Sequence, residues 1–352
     1  MLDKNTVYKR TGSCARCKSC RVVCELPLPK TMMPICPSGM AYKFDSYFGM
    51  GRVTIGRKYI EEAFEYNDSL ADLVFNCTLC GACEVQCPII GYDPVEITMF
   101  LREEAHRKGF KNKYLQDNVS SSNAAPEIGA DEGCGVALLI PPCDDGQAEK
   151  VGSLLSAAGV KFQSFSKTAG CLLKRNGDEE GFEKAKSDFI AALNAAGIKE
   201  LIIYDTLAYK TILLDYKLEE VDVKFYLDYL EALPLKALAQ EKKAAYHDPA
   251  YLGRYTMYSD MPRKILDGVG NLTQIEFKRT KKNTLSSTSY PDCDEKVVAV
   301  TASARLAEAA DIGASMIITP CIYEYRALVK QAGVDNSSIE IKEMAELLNS
   351  LL

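Results

Sequence analysis

At 352 residues the chain is too long for one ordinary domain and suits about two or three. Its 47% hydrophobic content is enough for packed cores and excludes global disorder. A net charge of −6, from 42 basic and 48 acidic side chains, argues against a general nucleic-acid or anionic-membrane surface. The local exception, KRTKKN at 278–283, reads as a solvated loop.

Fourteen cysteines stand against two histidines, which points to metal bound through thiolates and away from a histidine-rich zinc or haem site. Nothing at the N-terminus resembles an export signal, and no apolar run approaches the ~18 residues that span a bilayer. The expectation is a soluble, cytoplasmic protein whose membrane association, if any, runs through a partner.

Nine of the fourteen cysteines precede residue 88. CARCKSCRVVC supplies Cys14, Cys17, Cys20 and Cys24; CTLCGACEVQCP supplies Cys77, Cys80, Cys83 and Cys87 with the same spacing, followed by Pro88. This is the bacterial-ferredoxin run, in which three close thiolates hold one [4Fe–4S] cube and the fourth crosses to the other. The short gaps wrap a tight loop around one cube, and the longer gap carries the last thiolate away. Zinc is a poor match to two such runs. The spacing assigns Cys14, Cys17, Cys20 and Cys87 to one cluster and Cys77, Cys80, Cys83 and Cys24 to the other. Cys36, followed by Pro37, is the alternative fourth ligand.

The intervening GRKYIEEAFEYNDSLADLVFN reads as helix broken near Asn67, Asp68 and Ser69. Asp93 and Pro94 open a further helix that stops at Gly109. Residues 1–111 therefore form an α-helical ferredoxin segment, and 112–133, rich in Ser, Asn, Ala and Gly, read as a linker. From residue 134 the pattern turns α/β. VALLI, VKFQSF and KELIIY are strand-like, and GFEKAKSDFIAALNAAG sets Phe182, Ala185, Phe189, Ile190 and Leu193 on one helical face. RLAEAADIGASMIITPC mirrors FIAALNAAGIKELIIYDT, and IEIKEMAELLNSLL mirrors VKFYLDYLEALPL, so 241–352 reads as a second copy of 134–240. The fold class is α+β and multidomain: a helical ferredoxin followed by a duplicated α/β unit.

This organisation resembles a family of iron–sulfur oxidoreductase components that includes the D subunit of heterodisulfide reductase and the C subunit of glycerol-3-phosphate dehydrogenase. The resemblance implies a duplicated CCG-type domain whose cysteines hold noncubane [4Fe–4S] clusters. Matched to that pattern, the first copy has Cys143 in IPPCDDG, Cys171 in AGCLL, then Thr206 and Tyr209. The second has Ala250 in HDPAYLGR, Cys293 in YPDCDEKV, then Cys321 and Glu324. Both copies are degenerate, so noncubane clusters are expected to be absent. Cys293, Cys321, Glu324 and His247 are the residues left for a small metal site, with buried structural thiols as the plainer alternative. His247, Asp248 and Arg254 could bind an anionic small molecule in the strand-end crevice, but His-Asp-Pro reads first as a structural corner, with Asp248 capping the next helix.

The function these readings imply is an electron-transfer subunit of an anaerobic oxidoreductase complex. Its partners would be other redox subunits: a flavoprotein, a hydrogenase-like subunit or a catalytic reductase. A disulfide reductase with a residual thiol or metal site, and a non-redox assembly subunit, are the alternatives.

Overall fold

The computed structural model describes residues 3–23, 33–115, 133–141 and 146–352. Cys24 and Cys143 lie outside the described residues.

The first part is helical, with α1 (Lys4–Ser13), α2 (Pro37–Tyr42), α3 (Gly49–Ile60), α4 (Asp68–Phe75), α5 (Ala82–Val85) and α6 (Pro94–Arg107). Local chemistry sets the boundaries. Asn67 caps α4 by accepting the Leu70 N–H at 3.0 Å, which is the break expected near Asn67. Asp93 caps α6 through Val95 N–H at 2.7 Å, with Pro94 in the first turn. Cys36 stands at the N-cap of α2 with Pro37 behind it, so the thiol is held at a helix start. Val7, Val53, Leu70, Val74, Ile97, Phe100 and Leu101 close a core between α1, α3, α4 and α6.

The second part holds two four-stranded parallel sheets. In chain order its first half runs β1 (Val136–Leu139), α7 (Gln147–Ala157), β2 (Gln163–Phe165), α8 (Cys171–Arg175), α9 (Glu179–Ala195), β3 (Glu200–Ile203), α10 (Thr206–Thr211) and β4 (Asp222–Phe225). The other half runs β5 (Lys242–Tyr246), α11 (Asp260–Asp267), β6 (Leu272–Ile275), α12 (Glu295–Asp311), β7 (Met316–Thr319), α13 (Ile322–Val334), β8 (Glu340–Glu343) and α14 (Met344–Ser350). The sheet orders are β2-β1-β3-β4 and β6-β5-β7-β8, the same topology twice. One apolar core, with Leu138, Ile202 and Phe225 from the first sheet and Tyr246, Ile318 and Leu348 from the second half, joins the two. Ala245, Ile317, Phe277 and Leu306 bury the other face of the second sheet.

Both sheets direct the carboxyl ends of their strands towards the helical part, where ligand loops of parallel sheets gather. The chain joining the two parts starts firmly. Asn112, at the head of the expected linker, is buried and donates to Asp292 O at 2.9 Å and Asn176 Oδ1 at 2.8 Å. The rest of that stretch, 116–132, lies outside the described residues. No helix among the described residues is long and apolar enough to cross a membrane.

Candidate functional site

The two cysteine loops share one backbone. Two and four residues after the first cysteine the chain takes positive φ: Arg16 (53°) and Lys18 (69°) in the first loop, Leu79 (54°) and Gly81 (75°) in the second. Left-handed conformations in three non-glycine residues are sparse elsewhere in proteins. They turn the loop so that successive thiols face one centre.

Cys87 and Cys20 each feel the charges of Cys14 and Cys17, and all four line one small crevice. The structure therefore brings together the four thiols that the spacing assigns to one cluster, with Cys83 at the edge of the same crevice. Cys83, Cys77 and Cys80 form the second set, and the thiol whose charge they share is Cys36. Burial pushes the Cys36 thiol up to about 12, against the pull of Arg52. Burial also raises Cys83 well above its usual range. These are the costs of charging buried thiols; iron removes the proton when it binds. Gly49, at the start of α3, separates the two sets. A Cβ there would stand 2.8 Å from the Cys83 Cβ and 3.6 Å from the Cys20 Cβ.

The two sets sit in different surroundings. Cys17 is exposed, and Ser19 lowers its thiol through a 3.3 Å hydrogen bond. The second loop lies under the α/β part, and four consecutive carbonyls of it are taken up, the first by α6 and the next three by the α/β part. Arg102 of α6 donates to Cys77 O and to Val74 O and Phe75 O. Thr78 O accepts from Thr288 Oγ1 at 2.9 Å and Arg175 Nη1 at 3.3 Å. Tyr255 donates to Leu79 O at 3.0 Å, and Arg254 Nη1 to Cys80 O at 3.0 Å. Tyr251–Tyr255 is a single π-helical turn, a distortion common at functional sites, and it presents both Arg254 and Tyr255.

Arg52, Arg102 and Arg254 are each under a tenth exposed. Among the described residues none of the three has a carboxylate within ion-pair distance; Arg175, by contrast, grips Asp292 at 2.8 and 2.9 Å. Buried unpaired guanidiniums are costly. An anionic, four-thiolate iron–sulfur cage supplies the missing negative charge, so this donor set fits a [4Fe–4S] centre.

The matched positions of the duplicated part are filled rather than vacant. Ala250 packs its methyl against Val23, Ile35, Cys80 and Ala82, on the second cysteine loop itself. Its N–H donates to Ser286 Oγ at 3.1 Å. Glu324 accepts from Ser286 at 2.6 Å and Thr288 N–H at 2.7 Å, with His247 Nε2 3.4 Å away. Thr206 Oγ1 lies 3.1 Å from Tyr290 OH and 3.6 Å from Cys321 Sγ. Tyr209 stacks in the core against Phe225. Of the residues expected to make a small metal site, His247 and Glu324 meet, Cys321 lies near Glu324, and Cys293 turns to Arg175 Nη2 at 3.4 Å. Among the described residues no three such side chains converge on a single ion. Asp248 does not cap the next helix: both of its oxygens accept from Arg263, at 3.0 and 2.8 Å, because α11 brings that guanidinium over the corner.

Burial pushes the Cys171, Cys293 and Cys321 thiols up to about 12. Beside the second loop lies a cavity of about 390 Å³, lined by Leu79, Asp93, Glu103, Cys171, Lys210 and Tyr255 among others. Sequence reasoning missed Arg52, Arg102, Arg175 and Thr288.

The 4Fe-4S dicluster domain family matches residues 10–89. The chain is similar to the D subunit of the dihydromethanophenazine:CoB–CoM heterodisulfide reductase of Methanosarcina mazei, 24% identical over 315 residues covering 77% of this chain and 76% of that one. The corresponding protein of Methanosarcina barkeri is 21% identical, with 97% and 93% covered. The EtfAB:quinone oxidoreductase of Syntrophomonas wolfei is 25% identical over 275 residues, 63% of this chain and 37% of its own length.

Proposed function

The chain is related to the D subunit of heterodisulfide reductase, through the 4Fe-4S dicluster segment and the α/β part that follows it, and we propose that it relays electrons between redox partners through two [4Fe–4S] clusters. Cys14, Cys17, Cys20 and Cys87 hold one cluster. Cys77, Cys80 and Cys83 hold the other, and Cys36 replaces Cys24 as its fourth ligand. Each cluster, when bound, accepts and returns one electron without bond making.

The observation that carries this reading is the clamp on four successive carbonyls of Cys77, Thr78, Leu79 and Cys80. The degenerate α/β part thereby walls and fixes the second ligand loop, and it offers docking surface to a partner. A residual thiol reductase acting through Cys171, Cys293 or Cys321 is disfavoured by the chemistry of those thiols. The thiolate is the nucleophile, and thiols held near 12 are protonated at neutral pH. Flavoprotein, hydrogenase-like and reductase subunits are the partners of matching chemistry in the cytoplasm.

The test is anoxic purification with iron and sulfide analysis. About eight irons per chain with ferredoxin-like EPR are expected. Cys36→Ala is expected to lose one cluster and Cys24→Ala to keep both. Retention of both clusters in Cys36→Ala would remove Cys36 from the ligand set, and about four irons in the unaltered protein would remove the relay.

A further inference from the structure

The charges around the two thiolate sets are arranged differently, and that difference bears on where an electron rests. Near the first set each of three cations is paired with a carboxylate, Arg10 with Glu96, and Arg21 and Lys18 with Asp45; Arg21, whose charge reaches Cys20, is half-buried, and its pairing with Asp45 offsets it. Arg16 is exposed. Such charges are screened by water and act weakly over distance.

Around the second set Arg52, Arg102 and Arg254 are buried, and among the described residues none of them has a carboxylate within ion-pair distance. Arg254 reaches the Cys80 carbonyl and otherwise bonds only to the carbonyls of Lys282 and Thr284. Arg102 bonds to Val74, Phe75, Cys77 and Arg175 carbonyls. Arg52 bonds to Tyr47 O, Leu73 O and Ser38 Oγ, and Asp294 is reached only through Ser38 and Asn76. Among the described residues the acids that face this set are Asp93, which caps α6 through Val95 N–H, and Asp292, which acts on Arg102 while gripping Arg175. A four-thiolate [4Fe–4S] centre carries roughly two negative charges oxidised and about three reduced. Burial alone would penalise the reduced form. Three buried guanidiniums oppose that penalty, because each favours the more negative, reduced form. In a low-dielectric enclosure that term outweighs any screened surface charge.

Resting on the two-cluster reading, we infer that Arg52, Arg102 and Arg254 are built-in counter-cations that hold the reduction potential of the second cluster above that of the first. An electron delivered to the exposed first loop by a partner's reduced one-electron carrier then passes to the second cluster. The first cluster is reoxidised and the second reduced, with no proton and no bond exchanged. Electrons enter at the Cys17 side and leave from beneath the α/β part.

The test is a redox titration of the full, anoxically purified holoprotein followed by EPR, with Cys17→Ala assigning the signals by removing the first cluster. The second cluster is expected to titrate at the higher potential. Arg254→Gln is expected to shift that signal down by at least a tenfold change in its oxidised-to-reduced ratio, ~59 mV, and to leave the first signal in place. Arg254→Lys, which keeps the charge, should recover most of the shift. A second cluster that titrates at or below the first in the unaltered protein overturns the inference, and that measurement needs no substitution at Arg254. So does an Arg254→Gln variant in which both signals move together or neither moves. A protein with only about four irons fails the relay reading instead.

Discussion

The loop at Cys14 and the loop at Cys77 have the same cysteine spacing and the same two left-handed turns, yet they are built into the molecule in opposite ways. The first carries its left-handed turns on exposed Arg16 and Lys18. The second carries them on Leu79, buried in the protein, and on Gly81, whose missing side chain leaves room for the Tyr255 ring. Spacing thus decides which atoms face the iron, while the residues that cover each loop decide what the iron experiences. Two runs of one spacing become two unequal surroundings because, among the described residues, the α/β part covers the second.

The largest expected effect separates ligand loss from loss of the roof. Cys17→Ala and Cys80→Ala should each remove about four irons. Only Cys80→Ala should also cost folding stability on the order of 3–5 kcal/mol, because Arg52, Arg102 and Arg254 then lose the anion that answers them. Urea unfolding midpoints of the two variants under anoxic conditions check this. Equal losses would mean that both loops contribute alike and that the arginines are compensated some other way.

A smaller effect is expected from the paired fourth positions. Gly81→Ala forces φ of +75° on a residue with a side chain and sets its Cβ 2.9 Å from the Tyr255 ring. Left-handed strain and displacement of the ring together should cost about 1–3 kcal/mol. The equivalent change, Lys18→Ala, removes an exposed side chain from a site with φ of 69° and should stay within about 0.5 kcal/mol. The same unfolding measurements apply, and a Gly81→Ala protein as stable as the parent would show that Tyr255 is not seated against the loop.

What can be read in the sequence follows from the range of each interaction. Ligand identity within a run is local, so Cys14, Cys17, Cys20 and Cys77, Cys80, Cys83 stand out by spacing alone. The caps at Asn67 and Asp93 are local too. The surroundings of the second set are not. Spacing favours Cys24, which lies outside the described residues; the further thiol seen beside Cys77, Cys80 and Cys83 is Cys36, which stands at the N-cap of α2, and α2 packs on α12 from the far end of the chain. The clamp is invisible in the sequence for the same reason. Arg175, Arg254 and Thr288 meet carbonyls of residues 78 and 80, and a side chain bonded to a distant backbone oxygen leaves no period or motif. Ala250 misleads in a further way. Read as a missing thiol it suggests a vacancy, but the residue is buried in one small apolar cluster with Cys80 and Ala82.

The smallest expected effect concerns how far the clamp depends on the buried network behind it. Arg254 donates to Thr284 O; Arg305 donates to Thr284 Oγ1 at 2.7 Å and, through Nε, to His247 Nδ1 at 2.9 Å. An imidazole that accepts at Nδ1 must be neutral there. Burial holds its pKa below the usual 6.5, with Arg305 adding to the depression and Glu324 opposing it. A histidine whose folded pKa is depressed contributes stability that is present above 6.5 and is lost as pH falls below it, since the unfolded chain then binds the proton and the folded one does not. Between about pH 7.5 and 5.5 the loss should be about 1 kcal/mol. His247→Asn keeps an acceptor for Arg305 and removes the titration, so its unfolding free energy should lack that slope. Among the described residues the first loop has no comparable network behind it, so hydrogen exchange of Cys77–Cys80 amides should quicken across about pH 7.5 to 5.5, beyond the intrinsic pH dependence, while Cys14–Cys17 amides follow the intrinsic rate. Equal behaviour of the two loops would place the pH response in the molecule as a whole and not in the roof over the second site.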